Sequence, residues 1–217
     1  MASKLISIIS YLPEDEFVRK ARFSKLVTLC NRCNELFNLP IYIVIQNYRD
    51  EEIQQLIMMD NVTVSKNYEK LGILGARKKL REDILLKHYD YYIFLDDNST
   101  LEGTKEAAKK YLKTINEYKD GWGNFKNLML KLFVCSYNLL KQVEFYDVNP
   151  EEQEAFEDTL FIQRLIKYFP KNKIHFDYNI DLRDTARGVG DPLSTWYTKE
   201  TDVKSMLKRT ETLKESV

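Results

Sequence analysis

YYIFLDDN, at residues 91–98, is a run of five apolar side chains that ends in two acids and an amide. A short apolar run of this kind is typical of a strand that is buried on both faces of a sheet. In an open α/β sheet, ligands bind outside the carboxyl ends of the strands. The run therefore predicts a buried strand with a polar site at its tip, although a solvated turn that helps to cap the next helix would give the same residues.

Further apolar runs lie on both sides of this strand, and longer helical patterns separate them. The runs that we predict to be strands are 5–9, 41–45, 62–64, 128–135 and 174–178. Ser99-Thr100-Leu101-Glu102 has the spacing of a capping box, which predicts a helix from about residue 100 to 119. Strands that alternate with helices of this length favour the α/β class, with a mainly parallel sheet covered by helices.

The composition is that of an ordinary globular domain. The chain has 217 residues, is 44% hydrophobic, and carries 33 basic and 33 acidic residues, so its formal net charge is zero. This balance argues against disorder, and the totals show no basic surface for nucleic acid. We expect one domain over residues 1–198 and a charged, helical tail over 199–217.

Three cysteines are too few for a disulfide framework in a chain of this length. No apolar run reaches the roughly 20 residues that a membrane span needs, so we expect no transmembrane segment. The first residues, MASKLISIIS, do not resemble a signal peptide. We therefore expect a cytoplasmic protein.

The two acids at the strand tip point to cation chemistry. Adjacent carboxylates repel each other unless a cation or water lies between them. Asp96, Asp97 and Asn98 offer oxygen ligands, which suit Mg²⁺ or Mn²⁺, and these ions commonly bridge carboxylates to phosphates.

These motifs together resemble the GT-A glycosyltransferases, in particular the family 2-type enzymes. Asp96-Asp97-Asn98 after an apolar strand is similar to the DxD motif of that family, and Gly75-Ala76-Arg77 lies about one helix before it. Phe156-Glu157-Asp158-Thr159-Leu160 is similar to the Glu-Asp motif that begins a later helix. The resemblance covers roughly residues 4–170 and implies a Rossmann-like, mostly parallel sheet flanked by helices in a single GT-A domain.

The resemblance also implies roles for individual residues. The donor would be a nucleotide sugar, most simply a UDP-sugar, bound together with Mn²⁺ or Mg²⁺. Asp96 would contact the ribose or the metal, and Arg77 would face the nucleotide or its phosphates. The residues that would form the rest of the nucleotide site are Ser10, Tyr11, Asn47 and Gly75.

The metal and the reacting groups follow from the same comparison. Asn98 stands where the family presents a metal-binding Asp, so Asp97 is a second candidate ligand, and a late His175 is a third. Asp158, beside Glu157, would be the catalytic base that takes the proton of the acceptor hydroxyl. A base in this role implies inversion of the anomeric centre.

The acceptor and two alternative functions stay open. The acceptor could be a glycan, a lipid carrier, a protein or a hydroxymethylated base in phage-type DNA. A nucleotidyltransferase would carry a Gly-rich basic loop after the first strand, where this chain has Ser10-Tyr11-Leu12-Pro13-Glu14. A nucleotide-binding module with a degenerate metal site would also fit Asn98.

Overall fold

The computed structural model describes residues 2–67, 71–117, 121–125, 132–143, 161, 165, 167, 173–176 and 180–184. In chain order, the elements are β1 (Lys4–Tyr11), α1 (Glu16–Phe37), β2 (Ile41–Gln46), α2 (Asp50–Ile57), β3 (Val62–Asn67), α3 (Gly72–Leu85), β4 (Tyr91–Asp96), β5 (Ser99–Gly103), α4 (Lys105–Glu117), β6 (Trp122–Phe125), β7 (Phe133–Ser136), α5 (Tyr137–Gln142), β8 (Lys173–Phe176) and β9 (Ile180–Asp184).

The central sheet has the strand order β3-β2-β1-β4-β7-β6-β8. The pairs β2–β3, β1–β2, β1–β4 and β6–β8 are parallel, whereas β7 runs antiparallel to both β4 and β6. The prediction of a mostly parallel sheet flanked by helices is therefore confirmed. The pair β5–β9 forms a separate antiparallel ribbon.

Alternate side chains of the central strands enter two different hydrophobic cores. On one face, Ile6 and Ile8 of β1 pack in the core that includes Leu26 of α1. On the other face, Leu5 and Ile9 pack in the core that includes residues of α3 and α5. Because successive side chains of a strand point to opposite faces, the central strands are apolar throughout and each face is covered by helices.

Helix α1 shows how its sequence sets its ends and its buried face. Asp15 caps the helix by accepting a hydrogen bond from the Val18 N–H at 2.9 Å, and Asn38 ends it in the left-handed region at φ 50°. The buried stripe contains the apolar residues that the spacing predicts, but it begins with two arginines, Arg19 and Arg22.

One local prediction, the start of the helix at about residue 100, is wrong. Residues 99–103 form β5 rather than the first turn of a helix, because Ser99 and Leu101 alternate inward while this segment pairs with β9. Helix α4 begins at Lys105, and the Thr104 hydroxyl accepts from the Ala107 N–H at 3.1 Å. In the predicted strand 128–135, only residues 132–135 are described, and the strand there is β7.

Among the helices that the structure describes, none is long and apolar enough to cross a bilayer.

Candidate active site

The tips of β1, β2 and β4 lie side by side at the carboxyl edge of the sheet. Parallel pairing aligns Ile9 with Asp96 and Tyr11 with Gln46. The polar residues at the ends of these three strands come from separate parts of the sequence, and the pairing brings them to one edge of the sheet. In an open α/β sheet, ligands bind at that edge.

Asp96 lies on the α3 side of this edge. Its Oδ1 accepts a hydrogen bond from Arg77 Nη2 at 3.0 Å. The Asp96 side chain is 29% exposed, whereas that of Arg77 is 4% exposed. A buried guanidinium therefore orients a carboxylate that a ligand can still reach.

Asp97 lies on the α1 side and is buried. Arg22 Nη2 donates to both of its carboxylate oxygens at 3.0 Å, and the Ser10 hydroxyl donates to Oδ2 at 2.5 Å. The Ser10 oxygen lies 2.6 Å from the Tyr48 hydroxyl. Burial raises the pKa of Tyr48 well above its ordinary value, and the nearby charge of Asp97 adds to this effect.

The entry to α3 is tied to the tip of β2. Gln46 Oε1 accepts from the Leu71 N–H at 2.7 Å. Gly72 has φ +67°, a conformation that favours glycine. A Cβ on Gly75 would lie 2.9 Å from the Leu71 Cβ, so the close approach of Leu71 requires glycine at this position. Gly75 thus shapes the helix start that carries Arg77.

The turn after β2 is tied to the loop after β1. Asn47 has φ 58°, and its Nδ2 donates to the Leu12 carbonyl at 2.8 Å and to Glu14 Oε1 at 2.9 Å. Arg19 donates to Glu52 at 2.7 and 2.6 Å and to the Asn47 carbonyl at 2.8 Å. Asn47 therefore holds two loops together at the edge where it was predicted to line a nucleotide pocket.

Five of the predicted site residues lie together at this edge: Ser10, Tyr11, Asn47, Arg77 and Asp96. Another predicted residue lies further away, and two are not among the described residues. His175 lies in β8, in register with Asn124 of β6. Three strand spacings, or roughly 14 Å, separate β8 from β4. Glu157 and Asp158 lie outside the described residues, as does the segment 185–217.

Trp122 belongs to the hydrophobic core. A tryptophan ring between two glycines, Gly121 and Gly123, can either stack on an acceptor or anchor a loop. Its side chain is fully buried and packs on Phe133, with ring centroids 5.9 Å apart. The structure thus favours the anchoring role.

Asp96 offers a divalent cation an accessible carboxylate at this edge. In the described part of the chain, no group of three or more His, Cys, Asp or Glu residues is placed to hold a metal ion. Asp96 is partly exposed, and Asn98 follows it at the same tip. The Asp96 carboxylate fits a cation that takes most of its ligands from a diphosphate and from water, as Mg²⁺ commonly does, whereas the Asn98 Oδ1 is buried and would have to turn outward to join it.

Sequence reasoning missed Arg22, Tyr48 and Gln46. A signal for Arg22 was present, because positions 19, 22, 26 and 29 keep the helical spacing of the buried stripe. An arginine within such a stripe implies a buried acidic partner. Tyr48 and Gln46 gave no comparable signal, since polar residues at a strand end are common.

Comparison with solved structures supports the fold. S. aureus TarS 1–349 in complex with UDP-GlcNAc matches 91% of this chain at 18% identity, with a TM-score of 0.57. A protein of Desulfovibrio desulfuricans G20 assigned as a nucleotide-diphospho-sugar transferase matches 77% at 10% identity, with a TM-score of 0.53. TarS 1–349 in complex with UDP matches 73% at 16% identity, with a TM-score of 0.50.

The chain is shorter than most of these structures. It covers 62% and 53% of the two TarS complexes and 77% of the D. desulfuricans protein. No protein-family model and no curated protein matches the sequence. The strand order, the helices on both faces and these structural neighbours together show that the chain has a GT-A-like fold, the fold of nucleotide-sugar glycosyltransferases.

Proposed function

We propose that the protein is a glycosyltransferase that moves a sugar from a nucleotide-diphosphate sugar to an acceptor hydroxyl. The observation that carries the proposal is the Arg77–Asp96 pair, a partly exposed carboxylate held by a buried guanidinium at the carboxyl edge of a GT-A-like sheet. A UDP-sugar is the proposed donor, since TarS, of similar fold, is described in complex with UDP and with UDP-GlcNAc.

The exposed oxygen of Asp96 suits two parts of such a donor. A carboxylate accepts hydrogen bonds from ribose hydroxyls, and it also binds hard cations. We place Mn²⁺ or Mg²⁺ at the tip of β4, held by Asp96, with Asn98 as the further candidate; His175, on a strand roughly 14 Å away, lies too far to share this cation. When bound, the cation would stabilise the negative charge on the leaving diphosphate.

Arg77 contributes a fixed positive charge next to Asp96. Its guanidinium is buried, so its orientation is set before any ligand arrives. A preorganised cation beside a site of developing negative charge lowers the barrier to departure of a diphosphate. Ser10, Tyr11, Asn47 and Gly75 shape the neighbouring edge, where we place the nucleoside.

Transfer requires a base for the acceptor. We assign this role to Asp158, with Glu157 beside it. The acceptor oxygen attacks the anomeric carbon and Asp158 takes its proton, while the bond from the anomeric carbon to the diphosphate oxygen breaks and the nucleoside diphosphate leaves with that electron pair. A single displacement of this kind inverts the anomeric centre. The acceptor is a glycan hydroxyl or a hydroxymethylated DNA base, and we place the protein in the cytoplasm.

A donor screen tests this function. Release of nucleotide and transfer of sugar would be measured with UDP-, GDP- and CMP-sugars, with and without Mn²⁺. We expect turnover of a UDP-sugar that Mn²⁺ accelerates, and loss of transfer in Asp158→Asn with donor binding retained. Nucleotide binding without turnover of any donor would instead favour a binding module. Full transfer activity in Asp158→Asn would place the base elsewhere.

A further inference from the structure

Asp97 is the meeting point of four segments of the chain. Arg22 comes from α1, Ser10 from the end of β1 and Tyr48 from the turn after β2, and all three join Asp97 after β4 in one hydrogen-bonded network. Each member is buried, with at most 8% of its surface exposed. The network therefore connects a helix to three neighbouring strand tips.

The burial of this network decides what Asp97 can bind. Both carboxylate oxygens already accept from Arg22, and Oδ2 accepts from Ser10 as well. A cation that took Asp97 as a ligand would have to enter this buried site beside the positive charge of Arg22, or displace Arg22 and leave a buried guanidinium without its counter-charge. Separating a buried ion pair in this way is strongly unfavourable.

The preceding residue, Asp96, lies on the opposite face of the sheet and is more exposed to solvent. The side chain of Asp96 faces α3 and is 29% exposed, whereas the side chain of Asp97 faces α1 and is 9% exposed. The two acids are adjacent in sequence, yet helices on opposite faces of the sheet hold them. Any movement of Asp97 would be transmitted directly to Asp96, because one peptide unit joins them.

We propose that Asp97 is a positioning residue, which Arg22 clamps so that the turn at residues 96–99 presents Asp96 to the donor. The two acids have different roles: Asp96 contacts the ligand, and Asp97 fixes the backbone that carries Asp96. What Asp96 binds rests on the proposed function, whereas the clamp rests on the geometry alone.

The test uses Arg22→Met, Asp97→Asn and the double variant. UDP affinity is measured by calorimetry, and Mn²⁺ affinity of the UDP complex by electron paramagnetic resonance. We expect each single variant to weaken UDP binding about tenfold and the double variant to weaken it about tenfold as well, rather than a hundredfold, because the two residues act as a unit. Mn²⁺ affinity should fall by a similar factor, about tenfold, in each of the three variants, because UDP and Mn²⁺ meet the same carboxylate, that of Asp96.

A metal-ligand role for Asp97 predicts the opposite pattern. Asp97→Asn would then abolish Mn²⁺ binding, and Arg22→Met would raise Mn²⁺ affinity because the competing guanidinium is gone. That pattern, or a hundredfold loss of UDP affinity in the double variant, overturns the proposal. Arg22→Lys keeps the charge and should recover part of the UDP affinity that Arg22→Met loses; no recovery also counts against the clamp.

Arg32→Met is the matched control on the same helix. Arg32 donates to the Leu101 carbonyl at 3.2 Å and to the Gly103 carbonyl at 2.7 Å, away from the clamp. We expect it to lower the melting temperature without changing UDP affinity. If the wild type binds no UDP, the proposed function fails. Urea unfolding of the wild type, Arg22→Met, Asp97→Asn and the double variant then still tests the clamp. Non-additive losses of unfolding free energy support it, and additive losses overturn it.

Discussion

Arg19→Met should destabilise the fold far more than an ordinary surface substitution does. Arg19 is 3% exposed and forms a two-point ion pair with Glu52, whose side chain is 12% exposed. It also donates to the carbonyls of Pro13 and Asn47, at 3.2 and 2.8 Å. Methionine fills much of the same volume but leaves the Glu52 carboxylate without its counter-charge.

The size of the effect follows from this loss. Removal of one partner of a buried pair costs about 3–5 kcal/mol. Because some water reaches Glu52, we expect the lower end, about 3 kcal/mol of unfolding free energy. At a urea dependence of about 1–3 kcal/mol per molar, the unfolding midpoint should fall by about 1–3 M. Urea unfolding followed by far-UV circular dichroism measures this shift.

Two further variants sharpen the test. Arg49→Met removes an exposed ion pair with Glu16 at the same junction and should leave the midpoint almost unchanged. Arg19→Met combined with Glu52→Gln should be more stable than Arg19→Met alone, because no charge is then left buried. If Arg19→Met lowers the midpoint no more than Arg49→Met does, the pair does not hold α1 to α2 as described.

Three other outcomes are expected. Burial raises the pKa of Cys30 to about 12 from an ordinary 9.0, so the thiol ionises at a lower pH in the unfolded chain than in the folded one. The free energy of unfolding should therefore fall as the pH rises from 9 towards 12. Cys30→Ala should reduce that slope, and an unchanged slope would contradict the assignment. Trp122→Ala should cost about 3–5 kcal/mol of stability, measured by urea unfolding, and a loss below about 1 kcal/mol would show that the ring is not packed in the core. Arg77→Met should weaken UDP binding about tenfold in calorimetry and Arg77→Lys less, because only an ammonium or guanidinium can still donate to Asp96; equal affinities of both variants and the wild type would refute this role.

The sheet could be predicted from the sequence because its central strands are apolar on both faces. The runs at 5–9, 41–45 and 91–95 contain side chains that enter the two cores, so each of them predicts a buried strand without any knowledge of its partners. The spacing of helical patterns between them then favours parallel pairing. The edge where Asp96 lies follows from the same reasoning.

The local error comes from a pattern that is compatible with more than one structure. Ser99-Thr100-Leu101-Glu102 has the spacing of a capping box, but the strand β9, about 80 residues later, pairs with it and makes it a strand. No local pattern reveals such a distant partner. The helix signal itself was correct and lay a few residues further on, at Thr104.

The different environments of Asp96 and Asp97 could not be predicted from the sequence. Two adjacent acids look equivalent in a motif, but the pleat of a strand sends neighbouring side chains to opposite faces. What then separates them is the helix on each face, with Arg77 on α3 and Arg22 on α1. Both arginines come from distant segments, so the distinction requires the folded chain.

Calorimetric titration of the wild type and of Asp96→Asn with UDP, in the presence of Mn²⁺, tests the central claim most directly. Asp96 is the partly exposed carboxylate at the tip of β4, and we place the donor against it. We predict saturable binding of UDP to the wild type and a loss of at least about tenfold in affinity in Asp96→Asn, measured below the melting temperature of the variant, which should be lower because the buried Arg77 loses its counter-charge. Equal UDP affinity in the two proteins, or no binding to the wild type, would contradict a nucleotide-sugar site at this edge of the sheet.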